Sequence, residues 1–489
     1  MGRAPTSGYC QTCRRRRVKC DRGVPSCQRC LKSGHSCGGY ETPLRMVNYS
    51  VARGQQSALQ RAPSSSRSSW MHGTPSLSYA SELSLVAFDG QISLDYFLAS
   101  YTWAHWWKSI VITGLQGDTA SASYIACRSL LMGHLGVGNS DAKLQQRSMQ
   151  LYGQSMRLVS SSLDMHQSSV LADLILPVMI LSMYPYVMEK SVKLEHDLGL
   201  GLITRNCGPD CSQDDRTVSI FRSCRSMLIC TALAKRCRTF LEEDVWKSAP
   251  FRASHKTCMD RLYDITSSLP GLAEEVLGGR NRQPEQVVDA VAKAETLYRE
   301  LRAWRYDWER INPGAATVLT VSDSSKAASS VLVRQLLGRQ IRFNSLGQAL
   351  EIFNYNAALV YLSRLQELLR SRTSASMHID VAHIESQLRD RQTSSPLLLT
   401  NELELPCLPA LEAVQQCAYL ATELKPSVAT NFIALAPVGI LYCALKSMGP
   451  LGELLSLAVA DIFSATPALD QLEVFGIWDT PDTKEATAS

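Results

Sequence analysis

Six cysteines near the start of the chain are spaced as a repeat. They lie at Cys10, Cys13, Cys20, Cys27, Cys30 and Cys37, so the last three follow the first three at a constant interval of 17 residues. Each half places two thiols three residues apart, as neighbours on one helical turn, and a third thiol after a short loop. The N-terminus has no apolar leader, so the thiols are expected to be reduced. A cluster of reduced thiols indicates a metal site and not disulfides.

The number of thiols narrows the kind of metal site. A structural zinc ion takes four ligands in a tetrahedron, so two separate sites would need more sulfurs than this segment has. Six thiolates complete two tetrahedra when two sulfurs are shared, and the repeat makes the shared thiols a symmetry-related pair. The alternative is one zinc held by the two Cys-x2-Cys pairs, which gives Cys20 and Cys37 no role although they also repeat. We therefore predict a centre with two zinc ions.

Positive charge beside these thiols is concentrated in the first half. The first half places five basic residues between its second and third cysteines: Arg14, Arg15, Arg16, Arg17 and Lys19. The second half has Leu31-Lys32-Ser33-Gly34-His35-Ser36 in that interval. Two zinc ions with six thiolates leave the metal core negative, so the core itself cannot attract a polyanion such as DNA. The attraction must come from these basic side chains, and Arg and Lys are also the side chains that donate hydrogen bonds to guanine. The first half is expected to enter the major groove; a nuclear-import patch is an alternative compatible with this.

Residues 10–37 and their flanks resemble the fungal binuclear zinc-cluster (Zn2Cys6) DNA-binding domain of transcription factors. The resemblance rests on the cysteine spacing, on the run Arg14-Arg15-Arg16-Arg17-Val18-Lys19-Cys20-Asp21, and on Pro25 two residues before the fourth cysteine. It implies a set of zinc ligands in which Cys10 and Cys27 bridge the metals, one zinc adds Cys13 and Cys20, and the other adds Cys30 and Cys37.

The same resemblance implies how the basic run would contact DNA. Arg16 and Arg17 would lie at the helix end that faces a CGG triplet. The family commonly has Lys at position 17, and Arg offers a bidentate fork to the same guanine. Arg14 and Lys19 would contact phosphates and set the register.

The rest of the chain predicts a linker and a large helical body. Residues 1–80 carry 13 Lys and Arg against Asp21 and Glu41, whereas the remainder is acidic, with 37 against 43. We assign residues 1–45 to the zinc-cluster domain, 46–82 to a Ser/Pro-rich disordered linker, and 83–489 to an all-α body. Helical patterns span Asp95–Ile112, Gln286–Arg310 and Leu336–Arg372. Two apolar stretches, Pro426–Leu445 and Ser168–Met188, contain prolines and polar residues and are predicted as buried helices, not membrane spans.

The body resembles the fungal-specific regulatory domain that follows zinc clusters. The resemblance rests on the aromatic stretch Tyr96–Trp107 and on His196-Asp197-Leu198-Gly199 after a helical run. It implies regulation, in some members by a small-molecule effector. The aromatic side chains would line an effector pocket or, as we favour, form the helix core.

The leading functional hypothesis is a nuclear, sequence-specific regulator of RNA polymerase II transcription, with control of a biosynthetic gene cluster as a family-level expectation. Motifs for a nucleophilic serine, a phosphate loop and a zinc protease are missing from the sequence, so we predict no enzyme. The alternative is an enzyme tethered to chromatin by its zinc module. Expected partners are double-stranded DNA, transcriptional coactivators and an effector, but no membrane; monomer and homodimer both stay open.

The C-terminal segment combines acidic and large apolar residues. Residues 450–489 contain seven acidic residues and one base, Lys484. Within them Leu469, Leu472, Phe475 and Trp478 recur at every third position. This composition is typical of activation segments that bind a coactivator groove. The alternative, which we favour, is that these side chains dock on the body.

Overall fold

The computed structural model describes two units of the chain, Met1–Ala87 and Phe88–Ser489. The described residues are 9–21, 23, 26–37, 88–100, 104–163, 168–189, 195–211, 214–278, 284–320, 339–372, 407–424 and 436–462. The predicted linker at 46–82 lies outside them, as do residues 463–489 of the acidic segment 450–489.

The first unit has two short helices, one in each half of the cysteine repeat. Helix α1 spans Gln11–Arg15 and α2 spans Gln28–Lys32. Among the described residues of this unit, the buried side chains are five thiols and Thr12, with Tyr9 and Val18 packed against the thiols. So small a core stabilises little by itself, which is the situation in which metal ligation supplies the folding free energy.

The second unit is helical, as predicted. Its first part contains α3 Asp89–Ser100, α4 Ala104–Leu115, α5 Ala122–Gly138, α6 Ala142–Leu163, α7 Ser168–Met188, α8 Glu195–Cys207, α9 Asp215–Lys235, α10 Asp244–Ser248, α11 Cys258–Thr266 and α12 Leu269–Leu277. Its second part contains α13 Pro284–Ile311, β1 Ala316–Thr320, β2 Arg339–Phe343, α14 Leu346–Arg372, α15 Cys407–Leu424, α16 Ala436–Lys446 and α17 Gly449–Ile462.

Helix α7 is the most apolar helix of the first part and lies between α5 and α8. Met179 and Ile180 are fully buried although they point to different faces, as expected of a helix that is covered all round. Pro177 and Pro185 lie inside it. No helix among the described residues has the length and apolarity that a membrane crossing requires.

The described residues of the aromatic stretch lie in two helices, α3 and α4. Phe97 is fully buried, and its ring meets His134 edge-on with centroids 5.6 Å apart. At this position the favoured prediction of helix core is correct. The side chains of Trp106 and Trp107 lie outside the described residues.

One segment departs from the helical prediction. The sequence pattern placed a helix over Leu336–Arg372, but α14 begins only at Leu346, where the Ser345 hydroxyl accepts the Gln348 N–H at 3.2 Å. Residues 339–343 instead form β2, antiparallel to β1, with Ile341 opposite Val318. The alternation Arg-Gln-Ile-Arg-Phe buries Ile341 and Phe343 on one side, which is strand periodicity and not helix periodicity.

The long helix α13 extends the predicted Gln286–Arg310 by a few residues, and it carries a buried ion pair. Arg305 donates through both terminal nitrogens to Glu412 of α15, at 2.8 and 3.0 Å. Asn356 of α14 donates to the same carboxylate at 2.8 Å. Arg305 and Glu412 are 2% and 1% exposed, so three helices are joined by polar contacts inside an apolar core.

Candidate metal centre and nucleic-acid interface

The six predicted ligands converge in the first unit. Five of the thiols are buried and the sixth, Cys37, is half-buried. Their Sγ atoms fall into two groups of four, and within each group all atoms lie within 4.8 Å of one another. One group is Cys10, Cys13, Cys20 and Cys27; the other is Cys10, Cys27, Cys30 and Cys37. The two groups share Cys10 and Cys27.

The spacing of the sulfurs suits zinc. Cys10 Sγ lies 3.6 Å from Cys27 Sγ and 3.7 Å from Cys30 Sγ. A tetrahedron with zinc–sulfur bonds of about 2.3 Å has sulfur–sulfur edges of about 3.8 Å. A disulfide would need about 2.05 Å, so these are separate thiols.

The positions of Cys20 and Cys37 decide between one zinc and two. The four sulfurs of the Cys-x2-Cys pairs are close enough to suit a single ion, since Cys13 Sγ is also 3.7 Å from Cys27 Sγ and from Cys30 Sγ. However, Cys20 and Cys37 each complete a group of four, which a single-zinc ribbon does not require. The arrangement therefore fits two ions with two shared sulfurs.

The backbone repeats along with the thiols. The N–H groups of Cys13 and Cys30 each donate to the sulfur three residues earlier, at 3.3 Å in both halves. After each helix the chain turns through a left-handed residue, Arg17 with φ 55° and Gly34 with φ 67°. The next N–H then donates back to the carbonyl of Cys13 or Cys30, at 3.1 and 3.0 Å. The two halves thus share one local fold.

Burial sets the protonation of the metal-free thiols. It raises the pKa of Cys13 to about 12, and it also raises the pKa of Cys10 and of Cys27. A neutral thiol is a poor ligand, so zinc must displace protons when it binds. Zinc here would hold the two halves together by ligation and, with all four positions of each ion taken by sulfur, would act structurally.

The predicted DNA-contacting residues lie on the first half, in and after α1. The side chains of Arg15, Arg16, Arg17 and Lys19 are exposed. Arg14 lies within α1, and its side chain is outside the described residues. The equivalent loop of the second half is also exposed but offers Lys32 as its basic residue between Cys30 and Cys37. The fold of the two halves is alike, and the charge on their surfaces is not.

Polar contacts that Asp21 and Arg16 make between the halves were missed by the sequence reasoning, as was the one from Thr12 Oγ1 to the Ser36 carbonyl at 3.0 Å. Both carboxylate oxygens of Asp21 accept backbone N–H groups at the start of α2, from Gln28 and Arg29, each at 2.9 Å. The backbone N–H of Arg29 and, to a smaller extent, that of Gln28 hold the pKa of Asp21 below its usual value. Arg16 Nη1 donates to Ser33 Oγ at 2.9 Å. The interval of 17 residues between Arg16 and Ser33 was the available signal for the contact between them.

Comparison with known proteins gives matches at this end of the chain. The family model described as fungal Zn(2)-Cys(6) binuclear cluster domain matches residues 9–46. Arginine metabolism regulation protein II of Saccharomyces cerevisiae is 60% identical over 45 residues, which are 9% of this chain and 5% of that protein. Transcription regulator lscL of Purpureocillium lilacinum is 53% identical over 32 residues, 6% of this chain and 8% of that protein.

A third relative agrees, and all three matches are short. Oleate activated transcription factor 3 of Kluyveromyces lactis is 64% identical over 28 residues, 6% of this chain and 4% of that protein. The chain therefore covers less than a tenth of the length of each of these relatives. No solved structure matches the chain. From the shared sulfurs and the family match together, residues 9–46 belong to the fungal Zn(2)-Cys(6) binuclear cluster domain family, which binds two zinc ions through cysteine.

Proposed function

We propose that this protein is a nuclear, sequence-specific transcription regulator that reads a CGG-like triplet with the first half of its zinc cluster. One observation carries the proposal: the two halves have the same backbone turn but differ in charge, with four exposed basic side chains among the described residues in and after α1 (Arg15, Arg16, Arg17 and Lys19) against two in α2 (Arg29 and Lys32). Two of the relatives are named as a transcription regulator and as a transcription factor. Binding through this half would place α1 toward the major groove, where guanine N7 and O6 accept from Arg.

In this proposal the six cysteines bind the two zinc ions, and the basic residues contact either bases or phosphates of the DNA. Arg16 and Arg17, at the end of α1, would face the triplet and donate to guanine, whereas Arg14 and Lys19 would contact phosphates. Arg15 is the remaining DNA-contacting residue of this run. The proposed assignment of Cys10 and Cys27 as bridging ligands is supported by their membership of both sulfur groups.

The test compares two substitutions on a CGG duplex and a scrambled duplex. Arg17→Ala should lower the preference for CGG by about 1–3 kcal/mol, because a base contact is lost. Lys19→Ala should weaken both duplexes alike and reduce the salt slope by about one, because a phosphate contact is lost. If Arg17→Ala keeps the wild-type preference for CGG over the scrambled duplex, Arg17 does not read a base. A wild-type protein that does not prefer CGG would contradict the proposed function itself.

The acidic C-terminal segment is the proposed contact to a coactivator. Its alternation of carboxylates with Phe475 and Trp478 supports this. Residues 464–489 fused to an unrelated DNA-binding domain should activate a reporter, and Phe475→Ala with Trp478→Ala should abolish the activation. A silent fusion, with aggregation of the chain truncated at Ala465, would place the segment in the core of the body.

The remaining parts of the proposal concern assembly, regulation and targets. A homodimer would bind paired triplets with a fixed spacing, whereas a monomer would bind one triplet, and band-shift stoichiometry separates them. An effector would have a pocket of about 250 Å³ between α11 and α13, lined by residues that include Arg261, Trp304 and Trp308. Genome-wide occupancy would report whether the target genes form a biosynthetic cluster.

A further inference from the structure

Equivalent positions of the two halves meet each other in the zinc unit. Cys10 and Cys27 are in contact through sulfur at 3.6 Å, and Cys13 and Cys30 at 3.7 Å. Arg16 and Ser33, separated by the same 17 residues, are in contact at 2.9 Å. Contacts between residue i and residue i+17 are what an approximate two-fold relation between the halves produces.

The third of these contacts requires unlike residues. Two cysteines can face each other because both are ligands of the same metal centre. Two facing arginines would bring together two cations, each with hydrogen-bond donors and no acceptor. Ser33 offers an acceptor oxygen, and its own proton goes to the carbonyl of Arg29 at 2.7 Å. Arg16 is thereby connected to the last turn of α2, where backbone carbonyls have no partner within the helix.

The opposite end of α2 is also held from the first half. Asp21 accepts the N–H groups of Gln28 and Arg29. An anion therefore lies at the start of this helix and a cation at its end, which is the favourable arrangement at both ends. Position 38, the equivalent of Asp21, is a glycine, so the second half has no matching carboxylate there.

We propose that Arg16 is a positioning residue and not a reader of bases: with Ser33 and Asp21 it clamps α2 to the first half. This inference rests on the proposed function and changes the expected role of one residue in it. Arg17 follows Arg16 directly, and its left-handed backbone sets the direction of its side chain. Fixing Arg16 against the second half therefore fixes how Arg17 leaves the turn. The difference in charge between the halves therefore contributes to the packing of the two halves as well as to DNA binding.

The decisive variant is Ser33→Ala in the full-length protein, because it removes the acceptor without changing charge. Losing one hydrogen bond of this kind should lower the ratio of CGG to scrambled-duplex affinity about two- to ten-fold. Arg16→Ala in the Ser33→Ala background should lower the ratio little further, since the two residues act as a unit. Additive losses, or a wild-type ratio in Ser33→Ala, would overturn the clamp and return Arg16 to base readout.

A charge-matched pair sharpens the test. Ser33→Arg would place two guanidinium groups face to face and should weaken CGG binding, although it adds a positive charge. His35→Arg adds the same charge at an exposed position of the same loop and should strengthen binding to both duplexes. If the two variants bind alike, the position of Ser33 has no special role and the clamp is wrong.

A measurement without DNA separates this inference from the proposed function. Hydrogen exchange of the zinc-loaded full chain, followed on peptides covering residues 26–37, should quicken in Ser33→Ala, Arg16→Ala and Asp21→Asn. Native mass spectrometry should still count two zinc ions in each. Unchanged exchange in all three variants would overturn the clamp even if CGG binding holds. Faster exchange in a protein that ignores CGG would keep the clamp and reject the readout.

Discussion

The zinc unit and the helical body reach a fixed structure by different means. In the first unit the core consists of thiols, and the described helices are five residues long. In the body the core is a continuous apolar cluster built from helices of up to 28 residues. The first unit therefore depends on bound metal, for which its sequence supplies the cysteine ligands. The body is stabilised by contacts within its own chain. The difference teaches that metal ligation replaces burial where the chain is too short to bury enough.

Removing the metal should separate the two regions most strongly. Structural zinc contributes about 10–16 kcal/mol of apparent binding free energy, which is folding free energy for a unit of this size. A chelator should therefore unfold residues 9–37 and leave the body folded. Hydrogen exchange resolved along the chain would measure both, with full exchange in the first unit and protection retained in α5, α7 and α14.

Cysteine variants extend this prediction to the ligands. Cys10→Ser should lose both zinc ions because Cys10 belongs to both sulfur groups, whereas Cys13→Ser should mainly affect one. Cys258→Ala, in the body, is the control and should retain two. One tightly bound zinc in the wild-type protein, counted by native mass spectrometry, would refute the shared-sulfur centre.

The second prediction tests the body. Glu412→Ala leaves Arg305 buried without its bidentate partner, and breaking a buried pair in this way costs about 3–5 kcal/mol. Glu367→Ala removes a half-exposed partner of Arg364 and should cost under about 1 kcal/mol. Urea unfolding of the body would measure both, while the zinc count should stay at two. Equal midpoints for the two variants would show that the buried pair is not a main support of the α13–α15 packing.

The same comparison explains what the sequence could and could not predict. Ligand spacing is local and chemically specific, so a centre with two shared sulfurs followed from six residues. The choice of Cys10 and Cys27 as the shared pair came from the family resemblance. The amphipathic helix α13 also followed, because its apolar positions recur every three or four residues.

The contacts that were missed depend on tertiary structure. Residues 339–343 lie beside a helical pattern, and a strand there needs a partner more than a dozen residues away, so the pattern alone favoured helix. Arg305 and Glu412 are more than a hundred residues apart, and each looks like an ordinary surface residue in its own helix. The Arg16–Ser33 contact was missed because a run of arginines gives no sign of which one faces an acceptor. Local pattern does not specify such pairings.

The smallest expected effect concerns the left-handed turn that follows each short helix, where the first half has Arg17 and the second half has Gly34. A left-handed backbone costs an ordinary residue about 1–2 kcal/mol, and glycine avoids that cost. Gly34→Ala should therefore lower the stability of the zinc-loaded unit by about 1 kcal/mol. Apart from the two neighbouring residues in the chain, no described atom lies within 4 Å of the added methyl group, so the loss would come from the backbone. Arg17→Gly should leave stability unchanged or slightly higher, yet lose the preference for CGG. Chelator competition would measure the first quantity and duplex binding the second. If Arg17→Gly destabilises the unit as much as Gly34→Ala, the arginine is needed for folding and its strained turn is not retained for DNA. If Arg17→Gly instead raises the stability and loses the preference for CGG, the first half gives up stability to present to DNA a side chain that the second half lacks.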